Sequence, residues 1–126
     1  MYYMSEINNL SELKIDDRCK EFGDSFLIIL DIAEFFKRVE EAADLMKRKL
    51  LYGPVTYEDV HSYRGKWSLF KKPVTYKYQN EFRFLIKQTE FVGPIMLKIG
   101  PLHGIAVMLE SECIGRLNVM ERRKDV

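Results

Sequence analysis

The sequence predicts a single α+β domain spanning 1–126, with a twisted, mixed or mostly antiparallel sheet and one long amphipathic helix packed on it. Three observations carry that prediction. One stretch has sustained helical periodicity: Ile32, Phe35, Phe36, Val39, Ala43 and Met46 recur at i, i+3, i+4 and i+7 spacing. Five or six short strand-like runs accompany it, and they cluster after the helix instead of alternating with it, unlike a wound parallel sheet. The 126 residues are enough for one core and rarely for two.

Each element has its own justification. Residues 1–4, from Met1 to Met4, read as a short strand or strand remnant, and residues 8–13 as a polar loop. Residues 16–22 suit one or two helical turns stopped by Gly23. The run 25–30, SFLIIL, is continuous and apolar, the pattern of a strand buried on both faces. Asp31 then offers a helix cap, and Glu34 completes a capping-box pattern. Glu40, Asp44, Lys47 and Arg48 fall opposite the apolar face, and Lys47, Arg48 and Lys49 fit a last turn, where cations suit the dipole. This arrangement puts Phe35, Phe36, Val39 and Met46 in the core with Ile28 and Ile29 beneath them.

Val55-Thr56-Tyr57 reads as a short strand entered from a Gly53-Pro54 turn, and 58–66 as a loop. Residues 67–73 bring aromatics and lysines together. Residues 76–86 end in a strand where Phe82 and Phe84 alternate with Glu81, Arg83 and Leu85, so the two phenylalanines take one face and Glu81 and Arg83 the other. Residues 95–99, between Gly93-Pro94 and Gly100-Pro101, read as another strand. Two more follow at 105–109 and 117–120, with a turn near Gly115, and the charged tail 121–126 is expected to fray. No internal repeat and no Pro-, Gly- or Ser-rich linker interrupts the chain.

Composition narrows the function classes. Hydrophobic residues make 47% and charged residues 31%, which excludes disordered, collagen-like and low-complexity chains. The net charge of +1 gives no general polyanion footprint and little colloidal repulsion, so a homo-oligomer is compatible with it. Cys19 and Cys113 have neither metal spacing nor a CxxC pattern and read as free thiols of a reducing cytoplasm. The longest apolar run, 26–30, is too short to span a bilayer, and the opening residues form no secretory signal, so a cytoplasmic protein without membrane contact is expected. The only histidines, His61 and His103, have no carboxylate or cysteine at ligand spacing, and His103 reads as a turn residue. No GxSxG elbow, Walker loop or GxGxxG occurs. No metal and no cofactor is expected.

Two constellations remain. The first interleaves cations with aromatics: Tyr63, Arg64, Lys66 and Trp67, then Phe70, Lys71 and Lys72, then Tyr76, Lys77 and Tyr78. Cations neutralise phosphates while aromatic faces stack bases, so this mixture suits single-stranded nucleic acid. The competing reading is a surface loop whose aromatics pack on the core. The second is the Glu81–Arg83 pair: a strand carboxylate oriented by a cation can accept a ribose hydroxyl, or it can be a plain ion pair.

The order Phe22-Gly23-Asp24, Glu34-Phe35, Val55-Thr56-Tyr57, Lys72 with Tyr78-Gln79-Asn80-Glu81-Phe82-Arg83, and Ile99-Gly100-Pro101-Leu102 resembles a family of uncharacterised bacterial and phage proteins. That family shares a lysine, an aromatic and a Q/E-x-E-aromatic-Arg strand. Residues 78–82 and Gly93-Pro94-Ile95 are also distantly similar to the glutamate-bearing strand of DNA-targeting ADP-ribosyltransferase toxins. The resemblance implies that Glu81 would bond the nicotinamide ribose and stabilise an oxocarbenium-like transition state. It also implies an NAD-gripping Arg or His on an earlier strand, and no such residue precedes Ser5.

The expectation is therefore a non-catalytic, inhibitory binding protein of phage or mobile-element type, acting on a host macromolecule, most plausibly a protein. Its contacts centre on Trp67 and Arg64, with Lys66, Lys71, Lys72 and Tyr63. The alternatives are an ADP-ribosyltransferase-like enzyme using Glu81 and a nucleic-acid-binding module.

Overall fold

The computed structural model describes residues 15–87, 90 and 93–116. The expected elements at 1–4, 8–13, 117–120 and 121–126 lie outside the described residues. The fold is α+β. In chain order it comprises a 3-10 helix (Asp17–Phe22), β1 (Ser25–Ile29), α1 (Ile32–Leu45), β2 (Leu50–Pro54), β3 (Thr56–Glu58), β4 (Lys71–Pro73), a second 3-10 helix (Val74–Gln79), β5 (Phe82–Ile86), β6 (Ala106–Glu110) and a third 3-10 helix (Ser111–Arg116).

Among the described residues the strands form three two-stranded ladders where one sheet was expected. β1 pairs antiparallel with β6, β2 antiparallel with β5, and β3 parallel with β4. Among the described residues β1 thus has one ladder neighbour, and they do not cover it on both faces. Leu27 stands opposite Met108, and these two are 46% and 72% exposed. Phe26, Ile28 and Ile29 are half-buried.

α1 starts as its cap predicts: the Asp31 carboxylate accepts the Glu34 N–H at 3.0 Å. The reciprocal half of a capping box is displaced. The Asp31 N–H goes to the Ile105 carbonyl, and the Glu34 carboxylate accepts Arg38 Nε at 3.0 Å. The helix ends earlier than its cations suggested. Lys47 takes a left-handed φ of 53°, its N–H bonds to the Asp44 carbonyl, and the Arg48 N–H returns to the Ala43 carbonyl. This pair of bonds is a Schellman closure, and it leaves Lys47, Arg48 and Lys49 beyond the last turn.

The apolar face of α1 meets an aromatic cluster. Phe36 stacks on Phe82 at 5.6 Å and lies edge-on to Phe84 at 5.1 Å, with Tyr52 at 5.7 Å and Phe35 6.2 Å from Phe84. The ring partners of α1 are therefore on β2 and β5, whereas the sequence put Ile28 and Ile29 of β1 beneath it. Phe35 and Phe36 are half-buried, and Met46 is exposed. The buried apolar residues among those described are Val39, Ala42 and Ala43 of α1 with Val55, Phe82, Ile105 and Ile114.

Two other expectations change. Gly53-Pro54 is no turn but the end of β2, where a proline's missing N–H costs no interior ladder bond. Residues 95–99 pair with no strand among the described residues: Ile95, Leu97 and Ile99 turn inward while Met96 and Lys98 face out. Arg38 Nη1 holds this segment to α1 by donating to the carbonyls of Ile99 (3.3 Å) and Pro101 (2.6 Å).

Candidate functional site

β5 is two-faced. Phe82 and Phe84 point into the aromatic cluster, and the alternation sends Glu81 and Arg83 to the other side, under the loop between β3 and β4. There the Glu81 carboxylate is held from two directions. Arg83 Nε donates to Oε1, Arg83 Nη2 to Oε2 at 3.2 Å, and Lys72 Nζ to Oε2 at 3.0 Å. Their side chains are only 21–25% exposed.

The cations reach further. Lys72 Nζ also donates to Gln79 Oε1, and Arg83 Nη1 donates to the Leu69 carbonyl inside the loop. The Glu81 N–H donates to the Tyr57 hydroxyl at 2.8 Å. Beside this cluster, Lys71 Nζ pairs with Glu58 at 3.4 Å, and the Thr56 N–H donates to the Phe70 carbonyl. β3, β4, the 74–79 helix, β5 and the loop's end are thereby tied together. Burial pushes the Glu81 carboxyl up, but hydrogen bonds and charge from Arg83 and Lys72 outweigh it and hold its pKa below the ordinary value of 4.5. Glu81 is an anion committed to three donors. To accept a ribose hydroxyl it would have to share oxygens already bonded to two cations.

The loop has its own internal frame. Asp59 starts it as an Asx turn: its carboxylate accepts the His61 N–H at 2.7 Å, and its carbonyl accepts the Tyr63 N–H. Tyr63 is the central post. Its ring folds back over Gly65, where a Cβ would meet the phenol at 2.4 Å or closer, and its hydroxyl donates to the Lys66 carbonyl. Trp67 stands edge-on to Tyr63 at 5.4 Å, and Lys71 Nζ lies 4.9 Å from the Tyr63 ring centre. Trp67 stays 42% exposed, Leu69 68% and Val60 50%. Arg64 and Lys66 are exposed; Arg64 donates to the His61 carbonyl, and neither has a carboxylate partner among the described residues.

The six residues singled out for partner contact thus divide. Arg64, Lys66 and Trp67 face solvent, Tyr63 supports Trp67, and Lys71 and Lys72 are engaged in ion pairs at the loop's base. Glu58, the Tyr57 hydroxyl and the Leu69 carbonyl were not visible as members of the site, whereas Gln79 stood in the motif around Glu81. The β3–β4 pairing that delivers Glu58 and Lys71 is parallel, and no local sequence signal announces it.

An open cleft of about 700 Å3 lies on the flank, lined by Ile15, Asp16, Asp17, Val55, Tyr57, Lys77, Tyr78 and Asn80. Its two aspartates are engaged locally, Asp17 by Lys20 at 2.9 Å and Asp16 by Arg18. Arg18 grips Asp16 through two side-chain nitrogens and lies 3.9 Å from the Tyr78 ring centre. Those hydrogen bonds bring Asp16 down to about 2. Cys19, whose thiol is pushed up by burial, turns toward the Tyr78 carbonyl. No group of three or more His, Cys, Asp or Glu that could hold a metal occurs among the described residues. No helix among them is long and apolar enough to cross a membrane.

No family model, curated protein or solved structure matches the chain.

Proposed function

We propose that this protein is a non-catalytic binding module that docks a protein partner through the 59–70 loop and acts by occupancy, as an inhibitor does. One observation carries the reading: a half-exposed tryptophan and an exposed leucine project from a loop whose base is clipped by the Glu81, Lys72 and Arg83 cluster. A rigid aromatic anchor with free cations beside it has the composition of a binding hot spot. A clipped base lowers the ordering cost that such a loop would otherwise incur on docking. Glu81 serves here as the clip, a role that uses both of its oxygens, and the reading assigns it no turnover.

The test compares wild-type protein with Trp67→Ala as bait in nuclease-treated cell lysate. A protein held by wild type should be weakened by about 2 kcal/mol or more on the variant. The variant itself should lose only about 1 kcal/mol of stability, the worth of one edge-on aromatic pair. A captured protein that binds both baits equally, or one that is captured only when the nuclease treatment is omitted, overturns the reading.

A further inference from the structure

The loop is electrostatically lopsided in a way that the whole chain is not. The chain is nearly neutral at +1. Within the loop and its base, Glu58 is taken by Lys71, and Asp59, the one carboxylate of residues 59–70, is exposed at the opening turn, where it accepts the His61 N–H. Arg64 and Lys66, on either side of Gly65, stay exposed and without a carboxylate partner among the described residues. Trp67 and Leu69, both exposed, follow directly. The result is a short cationic rim beside an apolar anchor.

We propose that the surface this loop docks is an acidic face of a protein, offering an apolar socket for Trp67 rimmed by carboxylates for Arg64 and Lys66. The inference rests on the docking reading above and adds the chemistry of the partner. A protein suits this surface better than a nucleic acid does. Nucleic-acid affinity grows with the number of phosphates neutralised, and Lys71 and Lys72 are already paired inside the fold. Two free rim charges beside one aromatic anchor are sufficient to orient and speed a protein encounter.

The experiment selects a displayed library of random peptides on the intact protein and follows individual winners by the anisotropy of a fluorophore attached to the peptide. Winners should place Asp or Glu around an apolar residue. Arg64→Glu with Lys66→Glu should weaken them about tenfold or more, whereas Lys37→Glu on α1 should leave them unchanged. Circular dichroism of the double variant should match wild type, since the one side-chain bond lost, from Arg64 to the His61 carbonyl, lies in the exposed loop outside the helices and strands. Winners that depend on Trp67 but are neutral or basic overturn the charge inference alone. Winners indifferent to Trp67→Ala, or no enrichment at all, overturn the docking reading with it. Tighter binding of an oligothymidine than of any peptide, with a steep salt dependence, overturns both in favour of a nucleic acid.

Discussion

Glu81 is where residue-level electrostatics matter most. Two part-buried cations face it, and removing their shared anion leaves both underpaired. Glu81→Gln should therefore cost about 1–3 kcal/mol at neutral pH, read from urea unfolding. The pH dependence has a definite sign. The folded-state pKa is depressed, so the unfolded chain binds the proton more readily below the ordinary value of 4.5. The stabilisation is fully present above that value and is lost as pH falls through the lower folded pKa. The gap between wild type and Glu81→Gln should be constant from neutrality to mildly acidic pH and close below it. A gap that persists in acid would mean that the carboxylate's charge is not what holds the cluster.

At the scale of elements, α1 shows how its ends and its face are separately determined. Its C-terminus closes through Lys47 at φ 53°, a conformation in which a Cβ is strained. Lys47→Gly should relieve that strain and raise stability by about 0.5–1 kcal/mol, measured as a shift in unfolding midpoint. The helix face depends on Phe36, which touches Tyr52, Phe82 and Phe84 yet is only half-buried. Phe36→Ala should cost about 2–3 kcal/mol, at or below the low end for fully buried phenylalanines. It should also loosen the β2–β5 amides to hydrogen exchange before those of β1–β6, because the ring partners lie on the former.

Across the whole molecule, small ladders are held together by side chains reaching between elements. Ser111 anchors the third 3-10 helix to the Gly23 carbonyl, and its N–H bonds the Asp24 carbonyl. Arg38 tethers the end of the 95–99 segment through the Ile99 and Pro101 carbonyls. Arg38→Ala should therefore speed tryptic cleavage at the exposed Lys98 about fivefold, the consequence of losing about 1 kcal/mol of local stability. Unchanged cleavage would show that Ile95, Leu97 and Ile99 hold the segment by packing alone.

What the sequence determined by itself is local. The 3.6-residue period placed α1, Asp31 announced its cap, and the two-residue alternation put Glu81 and Arg83 opposite Phe82 and Phe84. The Gly-Pro pairs around 95–99 marked an extended segment, because they report where the chain turns and not whether a neighbouring strand supplies hydrogen bonds. Tertiary structure decided everything that depends on pairing partners distant in the chain. It chose three ladders over one sheet, made Pro54 a strand end and gave α1 to β2 and β5. It also brought Lys72 to Glu81 and Glu58 to Lys71, leaving Arg64 and Lys66 without a carboxylate partner among the described residues. All four lysines and arginines of that segment look alike in sequence. Only the fold, by spending two of them on carboxylates at the loop's base, separates the charges that hold the loop from those that face outward.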